Sequence, residues 1–107
     1  MIDQTRYTDE ELRTIIDQGT IYMCACPSQV AQTIQHIRQL YQYQIGCLTD
    51  AQNDPSVHQL IADTASKVHA DLETCMDQII EIEKWDRQTL QKPEHLRIKQ
   101  FKAATED

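Results

Sequence analysis

Apolar residues recur through most of this chain at steps of three and four, the period of a helix. The first run is short. Thr8-Asp9-Glu10-Glu11 has the form of a capping box, with Thr8 as N-cap and Glu11 three residues on. Leu12, Ile15 and Ile16 follow as one stripe, and Gly19 stands where a helix end favours glycine. The pattern predicts a helix over about residues 9–18.

A connector, 20–25, leads to the second run. Pro27 suits a first helical turn, where its missing N–H would have no partner in any case. Val30, Ile34, Ile37, Tyr41, Ile45 and Leu48, flanked by Thr33 and Leu40, define a long amphipathic helix over about 27–47. Thr49 to Asn53 reads as a turn, and Asp54-Pro55 supply the cap and first residue of a third helix, about 54–84. There Ile61, Val68, Cys75 and Ile82 repeat every seven residues, with Ala65, Leu72 and Ile79 beside them. Adding Ala62, Met76 and Ile80 widens the apolar arc to about 140°, more than one neighbouring helix covers. Beyond Trp85, which would clamp the end of the bundle, the pattern weakens. Pro93 separates two short predicted helices, about 86–91 and about 94–103.

Two long helices about a short turn pack antiparallel. The expected fold is therefore all-α. A single domain over 1–107 holds a long antiparallel helical hairpin with short flanking helices, bundle-like, its core completed by dimerisation. Composition agrees: 2 Gly, 3 Pro and 1 Phe in 107 residues leave little for tight turns or sheet.

Charge narrows the partners. A net charge of −7 opposes nucleic acid and anionic membrane. The sign is split along the chain, with Lys84, Arg87, Lys92, Arg97, Lys99 and Lys102 following an acidic body, onto which this basic segment could fold. No segment holds the roughly 18 apolar residues of a membrane span. Met1-Ile2-Asp3-Gln4 lacks the features of a secretory signal, so the four Cys read as reduced thiols and the chain as cytoplasmic.

Candidate chemistry begins at Cys24-Ala25-Cys26-Pro27, two thiols at a helix mouth, where backbone N–H groups favour the thiolate. In the hairpin, Cys26 and Cys75 come level at the end away from the turn, with Cys24 just beyond and Cys47 at the other end. Cys24, Cys26 and Cys75 are thus candidate metal ligands, a set suited to Zn²⁺, Cu⁺ or disulfide exchange. A fourth ligand would have to come from outside, since His69 lies about 9 Å before Cys75 along the axis. The plainer reading makes Cys75 a small core residue in step with Ile61 and Val68.

His69 and Glu73 have the i, i+4 spacing of di-iron bundle sites. The second helix offers only His36 opposite and no inward Glu, so the two read as a surface pair. His58 reads as a capping or packing residue on the flank of its helix, and His95 as solvated. His36, Leu40, Tyr43 and Cys47 form a row on the flank of the second helix, a candidate interface. There is no Gly-rich phosphate loop and no inward carboxylate pair, and the chain does not read as an enzyme. The expected function is a small helical protein–protein interaction or accessory module that pairs with itself or another protein and needs no cofactor. The alternative is a thiol-based metal-binding or redox-responsive protein. If the helix mouth activates the thiols, at least one of Cys24 and Cys26 alkylates with a depressed apparent pKa in single-Cys variants. Titration of both near about 8.5 removes the alternative.

Overall fold

The computed structural model describes residues 2, 5–19, 25–50 and 54–93. These are mostly helical: α1 (Asp9–Gln18), α2 (Cys26–Leu48) and α3 (Pro55–Glu83). Among the described residues there is no strand, and no helix is long and apolar enough to cross a membrane.

Local chemistry sets most helix ends. Both halves of the capping box form at α1: the Glu11 N–H donates to Thr8 Oγ1, and the Thr8 N–H to Glu11 Oε1, each at 3.0 Å. At α3 the Ser56 N–H and hydroxyl both donate to Asp54 Oδ1, at 2.9 and 2.6 Å. Pro27 sits in the first turn of α2, where no side chain caps. Its far end closes on Thr49, whose hydroxyl donates to the Gly46 carbonyl at 2.6 Å.

Gly19 ends α1 for a reason other than the expected one. Its φ of −62° is right-handed, so no left-handed freedom is used. A Cβ there would lie 2.6 Å from the Ser28 Cβ. The missing side chain lets the end of α1 press against the start of α2, where the Ser28 hydroxyl donates to the Ile16 carbonyl at 3.3 Å. The left-handed residue is instead Lys84, at φ 60°. It turns the chain so that the Trp85 N–H donates to the Ile80 carbonyl at 2.9 Å, a Schellman-type closure, and the indole enters the core.

Helices α2 and α3 pack along each other, and α1 packs on α2. Chain directions follow from the contacts: Gln44 meets His58, while Arg38, earlier in α2, meets His69 and Glu73 later in α3. The core gathers at the end away from the α2–α3 connection. It joins Tyr7, Leu12 and Ile15 to Ala31 and Ile34 of α2, Met76 and Ile80 of α3, and Trp85 and Leu90 beyond.

Two expectations are corrected. Of the expected apolar arc, α3 buries Ala62, Ala65, Met76 and Ile80, and with them His69 and Glu73, while the Ile61–Val68–Cys75–Ile82 row lies off the buried face. Val68 and Ile82 are exposed, and Ile61 and Cys75 half-buried. The helix is turned about its axis because His69 and Glu73 are drawn inward to Arg38. Nor is there a helix over 86–91. Asp86 Oδ1 accepts from the N–H groups of Gln88 and Thr89, and Leu90 takes a left-handed φ of 57° to donate to the Asp86 carbonyl, closing a turn. The helix expected near 94–103 lies outside the described residues.

The Glu11 carboxyl is held below its ordinary value, first by the Thr8 N–H and then by Arg87. Such a group stabilises the fold above its unfolded pKa and loses that contribution as pH falls through the lowered folded value. Thr8→Ala is expected to cost about 1 kcal/mol in urea unfolding. Glu11→Gln keeps an acceptor for the cap but cannot titrate. Its stability should therefore fall less steeply than wild type below pH 4.5, the ordinary Glu value.

Candidate functional site

Arg38 lies in phase with Ala31, Ile34 and Tyr41, on the stripe that α2 turns inward. Spacing alone calls for an apolar residue there, yet Arg38 is only 9% exposed. A buried guanidinium needs acceptors for its donors, and four converge on it. Its Nε donates to His69 Nε2 at 3.0 Å, and Nη1 to Asp9 Oδ1 at 2.7 Å. Nη2 donates to the Tyr7 carbonyl at 2.5 Å and to Glu73 Oε1 at 2.6 Å. The N-terminal segment, α1 and α3 each contribute.

The arrangement dictates the imidazole. An arginine keeps its protons, so His69 Nε2 accepts and the ring proton sits on Nδ1. Nε2 also lies 3.1 Å from Glu73 Oε1. Lone pair then faces carboxylate, and the guanidinium bonded to both offsets the repulsion. Glu73 Oε2 is buried with no hydrogen-bond partner among the described residues.

Beside Arg38 is a pocket of about 470 Å³, between the N-terminal segment and α2. Ile2, Tyr41 and Ile45 form its apolar walls; Thr5, Thr8, Asp9, Gln42 and Arg38 supply the polar ones. The volume would admit a small organic molecule. Its wall carries one carboxylate, Asp9, already bonded to Arg38, and neither a thiol nor an imidazole.

A second cluster clasps the two ends of the described fold. Tyr7 Oη and Arg6 both donate to Asp77 of α3. Arg87 lies 4.3 Å from the centre of the Tyr7 ring, and donates to Glu11 Oε2 and to the Arg6 carbonyl, each at 2.8 Å. Of the basic residues after α3, Arg87 thus reaches the acidic body, at Glu11, while Arg97, Lys99 and Lys102 lie outside the described residues. Burial, then the bond to Asp77, pushes the Tyr7 phenol well above its ordinary pKa, making it a donor rather than a nucleophile.

The predicted site residues fare differently. Cys26 opens α2 and is exposed, Cys75 is half-buried on α3, and Cys24 lies outside the described residues. Among the described residues no group of three or more His, Cys, Asp or Glu is arranged to hold a metal ion. His36, Leu40 and Tyr43 are exposed and Cys47 half-buried, on the side of α2 away from its buried residues. The His69–Glu73 pair is corrected from surface to core: both side chains are fully buried, because Arg38 supplies the partner that sequence reasoning did not find. His58 packs against Gln44 at 2.6 Å, and His95 lies outside the described residues. The missed signal was phase. Arg38 and His69 are polar residues in step with apolar ones, His69 midway between Ala62 and Met76.

Compared with known protein families, with curated proteins and with solved structures, the chain matches none.

Removing one partner of a buried ion pair leaves the other uncompensated. Arg38→Met is expected to lower unfolding stability by about 3–5 kcal/mol. The double variant Arg38→Met/Glu73→Leu, with neither charge, should recover most of that loss, measured by urea denaturation.

Proposed function

We propose that the protein is a helical protein–protein interaction or accessory module that pairs with itself through the outer side of α3. One observation carries this reading. Val57, Leu60, Val68 and Ile82 are 50%, 66%, 38% and 79% exposed, and they recur at helical spacing along one side of the helix. Single exposed apolar residues carry no message. A row of them on one side of a helix, running about 38 Å from Val57 to Ile82 with Thr64, Asp71 and Gln78 between, is a surface suited to an interface. On α2, Leu40 and Tyr43 are exposed as well. The polar centre at Arg38 is engaged in holding the helices, which favours a binding role over a reaction.

The acidic charge disfavours nucleic acid as the partner. Sedimentation equilibrium at micromolar concentration is expected to give a dimer. Leu60→Glu/Ile82→Glu should shift it to monomer without changing the helical circular dichroism. A monomer at every concentration overturns self-pairing.

A further inference from the structure

We infer that two copies join antiparallel along α3, about a twofold axis level with the 69–70 peptide. The inference rests on the self-pairing reading and adds the register. A ridge on one straight helix can meet a second copy of itself in two directions, and charge separates them.

Lys67 and Asp71 lie along the ridge beside Val68, both exposed, and neither has an ion-pair partner among the described residues. A parallel pair sets each residue against its own copy, so Lys67 would face lysine and Asp71 aspartate. An antiparallel pair centred at 69–70 sets Lys67 beside the partner's Asp71, and Asp71 beside the partner's Lys67. The same register puts Val57 level with the partner's Ile82 and Leu60 level with the partner's half-buried Ile79, so apolar positions meet toward the two ends, while Val68 at the centre lies level with the partner's Asp71. The central charges and the outer apolar residues are matched by one operation, and the twofold contact closes on itself, so the α3 ridge is not left to extend a filament.

The native Cys75 reads the register directly. It comes level with the partner's Thr64, while the two copies of Cys75 stand about 16 Å apart along the axis, too far for a disulfide. The test uses the full chain with Cys24, Cys26 and Cys47 replaced by Ser, oxidised with copper–phenanthroline. Adding Thr64→Cys is expected to give a disulfide-linked dimer whose bridge joins position 64 to position 75. Without that substitution no crosslink should form. A bridge between the two copies of Cys75 shows a parallel pair and overturns the inference. A dimer by sedimentation with no crosslink at either position overturns the register while leaving self-pairing intact. A monomer overturns both, and a shift to dimer on deleting residues 94–107 would then identify the chain's own C-terminal segment as the occupant.

Charge reversal gives a second readout that needs no new thiol. Lys67→Glu sets like charges together at two symmetric places and should weaken dimerisation about fivefold at low salt. Lys67→Glu/Asp71→Lys restores both pairs and should bring the affinity back. Failure of the double variant to recover counts against the antiparallel register.

Discussion

A guanidinium taken out of water must have its N–H groups answered by the protein, and around Arg38 that requirement organises the molecule. Its acceptors come from the Tyr7 carbonyl, from Asp9 on α1, and from His69 and Glu73 on α3. Apolar contacts tolerate sliding and rotation at small cost, whereas hydrogen bonds to a buried charge do not. The relative placement of three helices and the N-terminal segment is therefore fixed more tightly by this one side chain than by the small core beyond it. A buried ion pair offsets much of its own attraction by desolvation, so the centre specifies geometry more than it adds stability.

The polar centre and the exposed ridge are two sides of one choice. Helix α3 has more apolar residues than one face can hold. With His69 and Glu73 turned toward Arg38, Val57, Leu60, Val68 and Ile82 are left outside. Rotating the helix to bury Val68 and Ile82 would leave the guanidinium without two acceptors. A fold that placed leucine at position 38 would be free to hide the ridge. This one exposes it.

Helices were legible because their signals are local. Thr8 and Glu11 at α1, Pro27 at α2, and Asp54 with Pro55 at α3 act within a turn of where they stand. Ala62, Ala65, Met76 and Ile80 on the buried face of α3 were legible from apolar content, but which edge of the wide arc turns inward was not. That face depends on a charged residue on another helix, 31 and 35 positions away from the histidine and glutamate it draws in. Tyr7 was missed because it precedes the first helix and belongs to no periodic run. Gly19 was placed correctly as a terminus for the wrong reason: the sequence cannot show that Ser28 will press against it. The turn after α3 was misread because Asp86 offers the backbone local bonds that compete with a helix.

The clasp between the two ends of the described fold bears on the order of assembly. Arg87 and the Arg6 carbonyl are 81 residues apart. Closing a free loop of that size costs about 4 kcal/mol of chain entropy beyond a constant, more than two exposed hydrogen bonds and a cation–π contact return. Once α1 has docked on α2, and α2 on α3, the two segments are already neighbours and most of that cost has been met. The clasp is therefore a late event in folding and an early one in unfolding. Its contacts weigh on the rate at which the N-terminal segment peels away, and hardly on the rate at which the helices find each other.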